Sequence, residues 1–191
     1  AKSTNAAMLA NSGKIVFVNA EGGAKLRALR KRGVNVENIK VWPPKDDPII
    51  TQRSLDRLFY RIKADLIKDP NAWNGIVFDS GTDIVQGLTD QVSQHRIKKA
   101  RDRGISIDEV DEFFTDVGDY GTMAKMFVDS LRKFRTLPMH VVYTALERRD
   151  VDKNSGQVTI GPAVTPGVST SLLGYTDIVI HCTAADDEQP Y

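Results

Sequence analysis

The chain has 191 residues, 41% of them hydrophobic, enough for one domain with a sizeable core. Its formal net charge of +1 argues neither for nor against a polyanionic partner, and its single cysteine, Cys182, excludes an internal disulfide and fits a reducing cytoplasm. No apolar run approaches the length of a membrane span and no signal peptide is visible, so a cytoplasmic protein with no membrane partner is expected.

Helical and strand signals then alternate along the chain. Residues 3–11 are rich in alanine and read as a helix that stops near Gly13. Residues 14–19 form a buried strand without polar alternation, and a short basic helix over 24–31 ends near Gly33. A strand at 39–41 is closed by the proline-bearing loop 43–48. Ser54 is the expected N-cap of a helix with Leu55, Leu58, Phe59, Ile62, Leu66 and Ile67 on one face, and Asp69-Pro70 ends it. A strand over 75–78 follows. A second amphipathic helix over 121–135 carries Met123, Met126, Phe127, Leu131 and Phe134. Residues 139–143 and 178–181 read as further strands. Apolar strands separated by helices predict an α/β fold, a mostly parallel sheet with helices on both faces.

Two stretches break this rhythm. Residues 86–119 form a charged, helical insertion: His95, Arg96, Lys98, Lys99, Arg101 and Arg103 make a basic run, and Asp108, Glu109, Asp111, Glu112, Asp116 and Asp119 an acidic one. Residues 153–170 are dominated by Gly, Pro, Ser and Thr, with a turn tip at Asn154-Ser155-Gly156, and are expected to form a long mobile loop.

Three short motifs carry chemistry. Lys2-Ser3-Thr4, directly before a helix, reads as the tail of a phosphate-binding P-loop. The lysine ammonium lies against the β- and γ-phosphates, the Ser3 hydroxyl ligates Mg2+, and the helix N-terminus supplies N–H groups. The bland alternative is a solvated chain end. Ile76-Val77-Phe78-Asp79-Ser80 is an apolar strand ending in an acid that would hold Mg2+ through water, with Ser80 beside it; otherwise Asp79 is a turn residue. Glu21, after the strand 15–20, is placed to polarise an attacking water as a general base, or else is a loop carboxylate. Asp83 reads as structural. A lysine, a hydroxyl and two strand-end carboxylates are the minimum set for Mg-dependent nucleoside triphosphate hydrolysis. A P-loop also needs a preceding strand and a turn of the form G-x-x-x-x-G-K-S/T. The chain starts at Ala1, so that strand and turn are expected to be lacking from it. Either the sequence is a piece of a longer protein or Lys2-Ser3-Thr4 is coincidental.

In this order the motifs resemble the RecA-like recombinase ATPases, which carry Gly-Lys-Thr-Thr, then Phe-Ile-Asp-Ala-Glu, then a Val-Asp-Ser strand end. Closer still is the resemblance to the phage branch of RecA-like nucleotide-binding proteins, which includes single-strand annealing proteins. It rests on Asn19-Ala20-Glu21-Gly22-Gly23, Asp119-Tyr120-Gly121, Leu137-Pro138-Met139-His140-Val141-Val142 and Leu173-Gly174-Tyr175-Thr176-Asp177, and spans nearly the whole chain. The resemblance implies a single RecA-like P-loop NTPase domain over 1–191 that binds ATP and Mg2+. By it, Glu21 and Lys2 are catalytic; Lys2, Ser3, Thr4, Asp79 and Ser80 bind the nucleotide; and Ser3 and Asp79 hold the metal. Where the recombinases place Asn-Gln as a γ-phosphate sensor this chain has Thr144-Ala145-Leu146-Glu147, so Thr144 becomes the polar sensor.

The resemblance also implies a function: an ATPase, DNA-stimulated, acting on single-stranded DNA in phage recombination or replication, in the cytoplasm of a bacterial host. The implied partners are single-stranded DNA, further copies of the chain in a ring or filament, and a phage single-strand-binding or replisome protein. DNA contacts fall at the two irregular stretches, on Arg96, Lys98, Lys99, Arg101, Arg103 and Lys153. The alternative for the basic run is a solvated helix face paired with the acidic segment behind it. Arg148 and Arg149 are either a finger for a neighbouring nucleotide or surface charge. The competing functional reading is a low-turnover nucleotide-binding module that assembles with a phage or replisome partner. A small-molecule kinase ranks third, because residues 153–170 lack the arginines of a phosphate-clamping lid.

Overall fold

The structure is a computed structural model that describes residues 2–22, 25–44, 50–104 and 117–182. Its centre is a four-stranded sheet in the order β2-β1-β3-β4, every neighbouring pair parallel: β1 Ile15–Asn19, β2 Ile39–Trp42, β3 Gly75–Asp79 and β4 His140–Tyr143. The registers Ile15↔Gly75 and Gly75↔His140 align the starts of β1, β3 and β4, so their carboxyl ends also lie level.

Alternation along the strands assigns each face its cover. Ile15, Phe17 and Val77 point to one side. There they pack on Ala7 and Ala10, of helix α1 (Lys2–Ala7) and the 3₁₀ turn that continues it (Met8–Asn11), and on Leu29 of α2 (Leu26–Lys31). Val16, Val18, Ile76 and Phe78 point to the other side. They are covered by α3 (Gln52–Lys68), α4 (Gly81–Asp102), α5 (Val117–Arg135) and α6 (Pro166–Tyr175). Burial on both faces explains why β1 and β3 read as continuous apolar runs rather than alternating ones.

Local chemistry fixes the boundaries. Helix α3 starts one turn earlier than Ser54: Thr51 is the N-cap, its hydroxyl accepting from the Ser54 N–H at 3.1 Å while the Thr51 N–H donates to Ser54 Oγ at 2.8 Å. Ser54 is therefore the N3 half of a capping box. Asp69, ahead of Pro70, leaves the helix with extended backbone (φ −142°, ψ 106°). Gly75 opens β3 where a Cβ would lie 2.7 Å from the His140 carbonyl oxygen and 2.6 Å from a Leu9 methyl, a space only glycine fits.

Three expectations change. Residues 86–102 are the continuation of α4, which begins at the end of β3 and packs antiparallel on α5: Gly81 faces Phe127, and Arg96 pairs with Asp119. The remainder of the charged stretch, 105–116, lies outside the described residues. Residues 153–170 hold defined elements in place of a loop. Strand β5 (Glu147–Val151) pairs antiparallel with β6 (Val158–Pro162) in a separate two-stranded sheet, and α6 follows. Asn154-Ser155-Gly156 is the hairpin tip, as expected of that turn, and there Asp152 Oδ1 accepts from the Asn154 and Ser155 N–H groups at 2.8 and 2.9 Å; the remaining Gly and Ser lie in β6 and α6. Residues 178–181 form no strand. Ile178, Val179 and Ile180 are 78%, 65% and 78% exposed and pair with no sheet. Their β-branched character raised the strand expectation, but propensity alone, without pairing to an edge, forms no ladder.

Candidate nucleotide site

The chain order of the sheet locates the site. From β1 the chain passes to β2 on one side, then returns to place β3 and β4 on the other, so the strand order reverses between β1 and β3. In open α/β sheets the crevice at such a switch point, beyond the carboxyl ends, is where ligands bind. Glu21 and Asp79 stand at this crevice. The Ala20 and Glu21 N–H groups both donate to the Asp79 carbonyl oxygen, at 2.7 and 3.2 Å, so the two strand ends are joined by main chain. The Glu21 side chain is exposed, whereas Asp79 is 3% exposed.

Asp79 is held from the next strand. Thr144, 8% exposed at the end of β4, donates its hydroxyl to Asp79 Oδ1 at 2.5 Å. Its N–H bonds the Phe78 carbonyl at 3.0 Å, and its carbonyl accepts from the Gly81 N–H at 2.7 Å. One residue further, the Ala145 carbonyl accepts from Lys2 Nζ at 3.0 Å. Lys2 thus lies at the same carboxyl-end edge as Asp79, linked to it through Thr144-Ala145. Ser3 follows it, half-buried, with no hydrogen-bond partner for its hydroxyl among the described residues.

Two candidate nucleotide contacts are otherwise engaged. Thr4 accepts from Arg32 at 3.2 Å and so faces α2. Ser80 is the N-cap of α4: its hydroxyl accepts from the Asp83 N–H at 3.3 Å and donates to the Asp83 carboxylate, which gives Asp83 its structural role. The peptide between Asp79 and Ser80 is cis. Sequence reasoning passed over Thr82 and the Ala145 carbonyl. Thr82 Oγ1 accepts from the Leu146 N–H at 3.2 Å and ties α4 to the segment leading into β5. A main-chain carbonyl has no sequence signal at all.

No cluster of three or more His, Cys, Asp or Glu side chains able to hold a metal occurs among the described residues. Mg2+ asks for few protein ligands, one or two oxygens, and completes its shell with water and phosphate. Among the described residues the Ser3 hydroxyl is unengaged, and Asp79 keeps Oδ2 outside its hydrogen bond to Thr144.

The proposed DNA contacts are placed apart from this crevice. Lys98, Lys99 and Arg101 are exposed on the last turns of α4, Arg103 is exposed at its C-cap, and Lys153 is exposed at the hairpin tip. Arg96 forms an ion pair with Asp119 at 3.0 Å, so for this residue the pairing with the acidic side holds. Arg148 donates to Asp150 and to the Val164 carbonyl, while Arg149 pairs with Glu147, which also contacts His181. The Arg149 hydrogen bond, then His181, holds the Glu147 carboxyl below its ordinary pKa.

A four-stranded parallel sheet with helices on both faces, and a lysine at the start of a flanking helix beside the carboxyl ends of the strands, fit an α/β core of P-loop NTPase type. The sequence pattern of the AAA domain family matches residues 2–189, and the chain belongs to that family, whose domains bind and hydrolyse nucleotides. No match to it is found among curated proteins. No helix among the described residues is long and apolar enough to cross a membrane.

Proposed function

We propose that the chain binds ATP with Mg2+ and hydrolyses it as a RecA-like ATPase acting on single-stranded DNA in phage recombination or replication. One set of contacts supports the reading: Lys2 donates to the Ala145 carbonyl beside Thr144, Thr144 holds the Asp79 carboxylate, and the Glu21 N–H bonds the Asp79 carbonyl, all beyond the carboxyl ends of the strands. Lys2 exchanges the Ala145 carbonyl for the β- and γ-phosphates. Glu21, exposed at the rim, orients and deprotonates the attacking water. Ser3 and, through water, Asp79 hold Mg2+, which when bound neutralises charge on the phosphate oxygens. Thr144 fixes Asp79 and reads the γ-phosphate end of the site. Lys98, Lys99, Arg101, Arg103 and Lys153 contact DNA phosphates, in a ring or filament of copies of the chain.

The experiment compares wild type with Glu21→Gln, measuring binding of a fluorescent ATP analogue and phosphate release with and without single-stranded DNA. Binding should persist, and turnover should fall by roughly two orders of magnitude or more, the ordinary loss for a positioned base. Unchanged turnover removes Glu21 from the mechanism. A wild-type rate indifferent to DNA, with no DNA binding at low salt, moves the reading to the low-turnover assembly module.

A further inference from the structure

Helix α2 carries a charge pattern that the nucleotide site does not use. Lys25, Arg27, Arg30, Lys31 and Arg32 are five basic residues within eight positions, with no acid between them. The helix buries only Leu29, so Arg27, Arg30 and Lys31, spaced i, i+3 and i+4, share the side turned away from the sheet. Arg30 meets Glu37 at 2.5 Å in a solvent-exposed pair, and Arg32 turns back to Thr4. Lys25, Arg27 and Lys31 have no acidic partner among the described residues.

Like charges one turn apart repel and weaken a helix, and a six-residue helix has little stability of its own to spare. The pattern is part of a wider segregation. Residues 2–42, which form α1, β1, α2 and β2, carry eight basic residues against two acids, Glu21 and Glu37; the rest of the chain carries 18 against 23. The near-neutral total conceals this segregation: five of the eight, Lys25, Arg27, Arg30, Lys31 and Arg32, lie on or beside α2, on the side of the sheet where α1 also packs.

We infer that the solvent face of α2 is a second binding surface for the phosphate backbone of a single-stranded nucleic acid, with Arg27 and Lys31 as its main contacts. The inference rests on the proposed DNA function and adds a surface to it. A row of exposed cations gains affinity for a polyanion by releasing condensed counterions. Residues 25–38 contain no aromatic side chain on which a base would stack, so the contact is to backbone and independent of sequence. An interfacial membrane helix would need a broad apolar face, and the exposed side of α2 offers only the partly exposed Leu26. The surface lies on the layer opposite α4, so its contribution separates by mutation from that of Lys98 and Lys99.

The test titrates a fluorescent oligothymidylate with salt, in ATP and Mg2+, against wild type, Arg27→Ala/Lys31→Ala and Lys98→Ala/Lys99→Ala. The α2 variant should bind more weakly at every salt concentration. Its plot of log affinity against log salt should flatten by roughly 1.4, about 0.7 for each phosphate that the variant leaves unneutralised. Arg27→Lys/Lys31→Arg should retain the wild-type slope. Alanine removes repulsion and favours helix, so the melting temperature of the α2 variant should hold or rise; weaker binding together with a lower melting temperature would mark a structural defect and overturn the inference. A wild-type slope in the α2 variant, with a flattened slope in the α4 variant, overturns it while leaving the proposed DNA function intact. No DNA binding by wild type sinks both. If the α2 variant keeps DNA binding but loses binding to phosphatidylserine-containing vesicles, the surface belongs to lipid headgroups and the inference is wrong.

Discussion

Thr144→Val tests the wiring of the proposed nucleotide site. The side chains of Thr144 and Asp79 are 8% and 3% exposed, so water has little room to replace the threonine hydroxyl once it is gone. Valine fills nearly the same volume, which keeps the cavity contribution small. Both main-chain bonds of residue 144, to Phe78 and from Gly81, survive the change. The substitution removes a hydrogen bond to a buried carboxylate oxygen, about 1.5–3 kcal/mol. Urea unfolding should report a destabilisation of about 2 kcal/mol, or roughly 4–8 °C in melting temperature for a chain of this length. Thr144→Ser keeps the hydroxyl and loses one methyl, costing about 1 kcal/mol. The order matters more than either value. A valine variant within about 0.5 kcal/mol of wild type, or a serine variant less stable than valine, would show that the hydroxyl does not hold Asp79.

Other substitutions probe separate parts of the molecule. Gly75→Ala pushes a methyl onto the His140 carbonyl and should cost about 3 kcal/mol by chemical denaturation; wild-type stability would mean the β3–β4 start is looser than 2.7 Å implies. Lys2→Ala removes a side chain with one carbonyl partner, so stability should change by less than about 1 kcal/mol while ATP affinity, measured by calorimetry, falls more than tenfold. Burial pushes the Tyr143 phenol above its ordinary pKa of 10.0. The folded state therefore holds that proton more tightly, and its contribution is constant below pH 10 and declines as pH rises beyond it. Melting curves taken upward from about pH 9.5 should show that decline in wild type, and a shallower one in Tyr143→Phe; identical slopes would refute it.

Much of the central sheet was legible because its rule is local. Ile15 to Val18 and Ile76 to Phe78 are apolar at every position, which only a strand buried on both faces requires. Glu21 and Asp79 could be picked out because they end such runs, where ligands of parallel sheets bind. The structure joins them through backbone that no residue pattern announces, the Asp79 carbonyl shared by two N–H groups. Thr51 was displaced by Ser54 as the expected cap because the two partners of a capping box are both hydroxyl residues with cap chemistry. The hairpin of β5 and β6 escaped detection because Glu147-Arg148-Arg149-Asp150 has no apolar alternation. Its strands are held by pairing and by Arg148 reaching Val164 rather than by a buried face. Ile178 to Ile180 failed in the opposite sense, with strong propensity but no pairing to either sheet.

Each of the hairpin's two strands is anchored at the end away from the tip. One continues from β4, with the Leu146 N–H bonded to Thr82. The other leads into α6, whose Val168 and Leu172 are buried in the core, and the Ala163 N–H bonds back to Leu146. Covalent continuity at the tip, residues 152–157, is therefore not what keeps either half in place. The tip is a position where the polypeptide can be cut, or a reporter domain spliced in, with the sheet and crevice left assembled. A limited-proteolysis product nicked there should elute as one particle and melt close to the intact chain, and its two fragments should part only on denaturation.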